Sequence, residues 1–222
     1  MKTTNTNITQ NATKGNNIKV YYTTIPQDTH NCEPLQCTER LKEIDDCSNA
    51  EVKMQKYYVW KLLEFAVAQF CDASKVHYRK EDCGKWTADG IEFSLCHTGN
   101  LVAVALSTAP IGIDAEKVTD RFDERLAKRI ANENDCKTEK TPEGIAALWT
   151  AKESIFKLQN EKSYVAKNIA VTPNAVKHYY LPNEIMLCVA FCEEKKIDFF
   201  EVKFDEQTRC ESKTPQRLYP FA

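Results

Sequence analysis

Ile111-Gly112-Ile113-Asp114-Ala115-Glu116-Lys117 alternates apolar residues with small or acidic ones, which is the period of a β-strand. On a strand, Ile111, Ile113 and Ala115 turn to one face and Gly112, Asp114 and Glu116 to the other. The apolar set is expected to face a core. Two carboxylates side by side repel each other, so a compensating cation is expected, and Gly112 leaves room beside them for a ligand. The competing reading is a strand edge with two solvated acids.

A second segment, Trp149-Thr150-Ala151-Lys152-Glu153-Ser154-Ile155-Phe156-Lys157, begins its Lys152-Glu153 pair 36 residues after Glu116. It reads as a helix opened by Thr141 as N-cap and Pro142 at the first helical position. Ile145, Leu148, Trp149, Phe156 and Leu158 supply its apolar positions. Trp149, Glu153 and Lys157 fall four apart on one stripe, with Lys152 on the adjoining edge. Alone, Glu153 and Lys157 would be an ordinary surface ion pair. Taken with Asp114 and Glu116, they give three carboxylates suited to a hard divalent cation such as Mg²⁺, and lysines suited to phosphate.

Gly-Ile-Asp-x-Glu, followed about forty residues on by Trp-Thr-x-Lys-Glu-Ser-x-x-Lys, resembles the signature of the 4′-phosphopantetheinyl transferase superfamily. Gly84-Lys85 and Phe93-Ser94-Leu95-Cys96-His97-Thr98-Gly99 resemble elements of its longer, surfactin-synthetase-activating type. Identifiable motifs cover roughly residues 45–160. The resemblance implies two similar α+β halves in a pseudo-twofold arrangement, with the active site between them. It implies transfer of 4′-phosphopantetheine from coenzyme A to a serine of an acyl or peptidyl carrier protein, releasing adenosine 3′,5′-bisphosphate. A monomer is expected at this length.

By motif match, Asp114, Glu116 and Glu153 would hold Mg²⁺. Glu153 would accept the serine proton, directly or through a water. Lys157 and Lys152 would neutralise phosphate oxygens. His97, Lys85 and the neighbouring Cys96 and Thr98 would meet coenzyme A, and Lys56, or in competition Lys53, its 3′-phosphate. Three positions depart from the family pattern: Cys96 stands where serine is common, Trp86 where proline follows Gly-Lys, and Asp135 where a glutamate is common in the helix of the second half. Two alternatives are a non-catalytic protein of the same fold that holds coenzyme A or a carrier, and another Mg²⁺-dependent phosphoryl enzyme. A nucleoside triphosphatase is disfavoured because the phosphate-loop pattern Gly-x-x-x-x-Gly-Lys-Ser/Thr does not occur.

The 222 residues suit one large domain or two small ones. A net charge of −2 gives no basic excess for nucleic acid, so an anionic cofactor must be met by a local cluster of cations. No run approaches the roughly 18 apolar residues of a transmembrane helix. Met1 to Asn17 is rich in Thr and Asn without a hydrophobic stretch, and reads as a flexible tail of a cytoplasmic protein. The sequons at Asn7 and Asn11 then read as chance. Ten cysteines without a Cys-x-x-Cys pair read as reduced, mostly buried thiols, with a structural zinc site as the lesser alternative. Cys188 and Cys192 both fit apolar strand positions.

The expected order is a strand from Ile18 to Ile25, then a helix opened by a capping box at Ser48–Glu51. Strands follow at Ile91–Leu95 and Leu101–Leu106, turning at Thr98-Gly99-Asn100 and forming a meander with the motif strand. Another helix starts near Thr119 or Asp120. Glu184–Cys192 and Ile197–Phe204 form a late strand pair, and Gln207–Ala222 shows no period. The expected units are a tail at 1–17, an N-terminal half at 18–108 and a C-terminal half at 109–222.

Overall fold

The computed structural model describes residues 17–27, 33–82, 84–204, 208–214 and 218–219. In chain order, β1 is Ile18–Thr24, α1 Thr38–Asp45, α2 Ala50–Phe70, β2 Tyr78–Lys80, β3 Trp86–Ala88, β4 Glu92–Thr98, β5 Leu101–Ser107 and β6 Ile111–Lys117. Then come α3 Glu124–Ile130, α4 Pro142–Gln159, β7 Val176–Leu181, β8 Ile185–Phe191, β9 Ile197–Lys203, β10 Arg209–Lys213 and β11 Leu218–Tyr219. The class is α+β.

Two sheets carry the architecture, one ordered β10-β9-β1-β5-β4 and the other β11-β7-β8-β6. β5 shows how they are layered. Its Val102, Val104 and Leu106 pack with α2 residues such as Trp60, Leu62 and Leu63. Its Leu101, Ala103 and Ala105 pack with Ile111, Ile113 and Ala115 of β6 and with Leu187 and Val189 of β8. The sheets therefore lie face to face. On the far side of the second sheet, Cys188 and Ala190 meet Leu148, Ala151 and Ile155 of α4. The order is helix, sheet, sheet, helix, with alternate residues of each central strand serving two different layers.

Several local expectations are corrected. The cap of α2 is Asn49, whose side chain accepts from the Val52 amide, rather than Ser48. α3 starts later than Thr119 because Asp123 caps it, accepting the Arg125 and Leu126 amides, after a turn closed from Phe122 N–H to Thr119 C=O. No meander forms, because β5 has β1 and β4 on its two edges; β6 pairs with β8 instead. β8 and β9 are not a hairpin either. β8 lies between β7 and β6, and β9 runs parallel to β1 in the first sheet, with β10 outside it. Cys188 is buried in β8, whereas Cys192 is exposed just beyond it. Every described cysteine is a free thiol.

Candidate functional site

The seam between β4 and β6 positions the candidate residues. These strands do not share a ladder, yet Ser94 Oγ accepts the Ile113 amide at 3.1 Å and Thr98 Oγ1 accepts the Lys117 amide at 3.2 Å. Hydroxyls thus satisfy backbone donors that would otherwise be left open where two sheet edges meet. Cys96 lies between them in the same alternation and is 3% exposed in the apolar layer between the sheets. Burial pushes its thiol well above the usual range. Expected at the cofactor, Cys96 is placed in the core of the seam.

α4 covers the acidic face of β6. It starts as expected, with Thr141 accepting the Gly144 amide and Pro142 following, and ends at Asn160 in the left-handed conformation at φ 55°. Gly112 makes the close approach between helix and strand feasible. A Cβ there would fall 1.8 Å from the Ser154 carbonyl oxygen, so the space expected for a ligand is filled by α4 itself.

This packing brings Lys157 onto Asp114. Its ammonium donates to Asp114 Oδ1 at 2.8 Å, to the Ile113 carbonyl at 3.0 Å and to the Leu95 carbonyl at 3.3 Å. These three acceptors match the three protons of an ammonium. Lys157 therefore fastens α4 to both strands of the seam. Burial opposes its charge, but Asp114, Cys96 and Glu153 outweigh that effect and hold its pKa above the ordinary lysine value.

The carboxylates are all pushed toward protonation. Burial raises Asp114 despite Lys157, and its Oδ2 is buried with no hydrogen-bond partner among the described residues. Burial, then Asp114, raises Glu116, which accepts from Thr98 Oγ1 at 3.3 Å and pairs with Arg121 at 2.5 Å. Burial, then Asp114, raises Glu153, with Lys157 and the Tyr164 hydroxyl acting the other way. Asp114, Glu116 and Glu153 thus share one electrostatic environment. Among the described residues, however, no three His, Cys, Asp or Glu side chains stand together as a ready chelate. Asp114 and Glu116 are each engaged by a cation or hydroxyl of the protein.

His97 is exposed at the end of β4, where partial burial, Lys157 and Arg40 lower its pKa. Lys85 donates to the Lys157 carbonyl at 2.9 Å, which brings the turn before β3 to the C-terminal end of α4. Lys56 is half-buried on α2, next to Gln55, whose amide donates to the Gly99 carbonyl at the β4–β5 turn. Lys53 turns to Asp45. Trp86 is a core residue, packed 4.8 Å from Trp60 and donating to Glu43.

Lys152, expected to neutralise phosphate oxygens, is placed elsewhere. It is fully buried and donates to Asp135 at 2.9 Å and to the Ile169 carbonyl at 2.5 Å, away from the acidic cluster. Asp135, expected in a helix, lies in the connection after α3 and also accepts the Asn132 and Val171 amides. The pair is structural. Arg121 and Tyr164 are members of the cluster that sequence reasoning missed. Arg121 enters from a turn and Tyr164 from the segment after α4, where no period ties either residue to Glu116 or Glu153.

Residues 110–195, which hold both the strand and the helix of this cluster, match the model of the 4′-phosphopantetheinyl transferase superfamily. The matched segment is less than half of the chain. The chain is also 31% identical over 98 residues to the 4′-phosphopantetheinyl transferase gsp of Aneurinibacillus migulanus. That match covers 41% of this chain and 41% of the relative. The superfamily segment contains Asp114, Glu116, Glu153 and Lys157, while His97, Lys85 and Lys56 lie outside it.

Proposed function

We propose that the protein transfers 4′-phosphopantetheine from coenzyme A to a serine of an acyl or peptidyl carrier protein, releasing adenosine 3′,5′-bisphosphate. The observation that carries this reading is the joining of Asp114, Glu116, Glu153 and Lys157 by the packing of α4 on β6, within the superfamily segment. On this reading the chain acts as a cytoplasmic monomer of the surfactin-synthetase-activating type, with two related α+β halves flanking the site.

The donor set fits a hard cation. The three carboxylates raise one another's proton affinity without standing together as a chelate, and one oxygen of Asp114 is buried with no protein hydrogen bond. Asp114, Glu116 and Glu153 would hold Mg²⁺, which when bound neutralises charge on the pyrophosphate. Glu153 accepts the serine proton. Burial beside Asp114 makes its carboxylate more basic than a solvated glutamate, which suits a general base. Tyr164 lies beside that carboxylate. Lys157 contributes fixed positive charge to the transferred phosphate while anchoring Asp114. His97, Lys85 and Lys56 line the cofactor's approach, with His97 and Lys56 beside the β4–β5 turn.

The test is mass spectrometry of apo-carriers of fatty-acid, polyketide and peptide type incubated with the protein, coenzyme A and Mg²⁺. A gain of one phosphopantetheine group on at least one carrier is expected. Binding of coenzyme A without any gain across the panel would leave a non-catalytic binding protein in place of the transferase.

A further inference from the structure

Trp149, Glu153 and Phe156 lie four and three positions apart, so they share one face of α4, with the carboxylate between the two rings. Tyr164 returns from the segment after α4 and packs edge-on against both rings, 6.1 Å from Trp149 and 5.1 Å from Phe156. A ring that meets both of these neighbours is held over the turn that carries Glu153. Its segment is fastened on either side. α4 stops at Asn160 in the left-handed conformation, and Lys152 holds the Ile169 carbonyl at 2.5 Å.

The polar end of this side chain plays no part in the packing. The Tyr164 hydroxyl is buried and has no hydrogen-bond partner among the described residues. A hydroxyl withdrawn from water without a partner is costly, so an acceptor is called for. Of the charges near it, Glu153 acts on it most strongly, then Asp114. Asp114 already accepts from Lys157. Glu153 lacks a comparable cationic donor, because the Lys157 ammonium gives its three protons to Asp114, the Ile113 carbonyl and the Leu95 carbonyl. The Glu153 side chain is half-buried on the helix surface, and rotation about its side-chain bonds brings carboxylate and hydroxyl together.

We propose that Tyr164 positions Glu153 for the transfer: its hydroxyl donates to one carboxylate oxygen and leaves the other facing the carrier serine. The inference rests on the transferase reading given above and deepens it. In the step it serves, the serine oxygen bonds to the pantetheine-bearing phosphorus. The bond from that phosphorus to the bridging pyrophosphate oxygen breaks, and adenosine 3′,5′-bisphosphate leaves with the electron pair. The serine proton passes to the free oxygen of Glu153. Tyr164 touches no reacting atom and acts through Glu153 alone.

The test compares Tyr164→Phe with the native full chain, using apo-carrier and coenzyme A. This change removes the hydroxyl and keeps the ring against Trp149 and Phe156. Turnover is expected to fall by about ten-fold or more, as for a misplaced catalytic group, with the Michaelis constant for the carrier and the affinity for coenzyme A little changed. The urea midpoint is expected not to fall, since the lost group has no partner in the packing. Replacing Tyr164 by 3-fluorotyrosine, which keeps ring and hydroxyl, is expected to preserve turnover. In a Glu153→Gln background, Tyr164→Phe is expected to cause little further loss. Native turnover in Tyr164→Phe, a change confined to the Michaelis constant, or an equal loss in the Glu153→Gln background overturns the proposal. The contact itself is read without substrate. In protein labelled with carbon-13 glutamate, the Glu153 carboxylate resonance, assigned by its absence in Glu153→Gln, is expected to shift in Tyr164→Phe. An unmoved resonance overturns the proposal whatever the activity. If the resonance shifts but no carrier gains mass with the native chain, the transferase reading fails and takes the positioning role with it, leaving the contact alone.

Discussion

Gly112 and Lys152 carry the clearest predictions at the scale of single residues. A methyl group on Gly112 meets the Ser154 carbonyl, which belongs to helix backbone and cannot rotate away. Gly112→Ala is expected to cost about 1–3 kcal/mol or more, as overpacking does, and to lower transfer because α4 is lifted from Asp114. A urea midpoint equal to that of the native chain would contradict this packing. For Lys152, removing one partner of a fully buried pair is expected to cost about 3–5 kcal/mol. The double change Lys152→Met with Asp135→Asn is expected to recover part of that loss, measured as a double-mutant cycle in urea. If Lys152→Met were as stable as the native chain but lost transfer, the residue would act on phosphate after all. Its inward direction was not legible in the sequence. A lysine beside a glutamate in a motif reads as a surface group, and its partner Asp135 arrives from a connection 17 positions earlier.

Secondary-structure elements were legible where each face has a single destination. β6 alternates cleanly because one face meets the other sheet and the other meets α4, and α4 announced its own start through Thr141 and Pro142. β10 was invisible because Arg209-Cys210-Glu211-Ser212-Lys213 lies at a sheet edge with almost every side chain exposed, so no apolar period is required of it. Strand partners were the least legible, since β5 and β8 each fill one edge with a hairpin neighbour and the other with a strand remote in sequence, β1 and β6 respectively. The contact between α4 and β7 predicts a dependence on pH. His178 of β7 is buried against the Ala147 carbonyl of α4, and burial lowers its pKa from 6.5 to about 4. The unfolded chain takes up this proton first as pH falls. His178 therefore costs no stability above about pH 6.5, and stability is lost progressively from there down to about pH 4. The shift corresponds to about 3 kcal/mol at the acid end, from about 1.4 kcal/mol per unit. His178→Gln is expected to flatten the decline in urea midpoint between pH 7 and pH 4.5. An unchanged slope would show that other groups govern it.

The whole molecule places its candidate chemistry at a join rather than in a deep cavity. Two sheets pack face to face, the edges β4 and β6 meet through Ser94 and Thr98, and α4 presses on the seam to bring Glu153 and Lys157 against Asp114. Motif spacing could bring the strand and helix residues to one site. It could not reveal that Lys157 spends all three protons on protein acceptors, or that Glu116 is held by Arg121, because both depend on how the layers stack. The cofactor side is tested by His97→Ala. A lost charge-assisted contact of roughly 1.5–3 kcal/mol predicts coenzyme A binding weaker by about ten-fold to a hundred-fold, read by calorimetry. Equal losses for coenzyme A and its dephospho form would move His97 away from the 3′-phosphate. The central claim is that the carboxylate α4 delivers to β6 carries out the transfer. Glu153→Gln tests it most directly, because size is kept and only the charge is removed. The measurement is the rate of phosphopantetheine gain on an apo-carrier, alongside a titration of coenzyme A. The account predicts a rate lower by about a hundred-fold or more, as expected for loss of a general base, with coenzyme A affinity little changed. Transfer by Glu153→Gln at the native rate would contradict it.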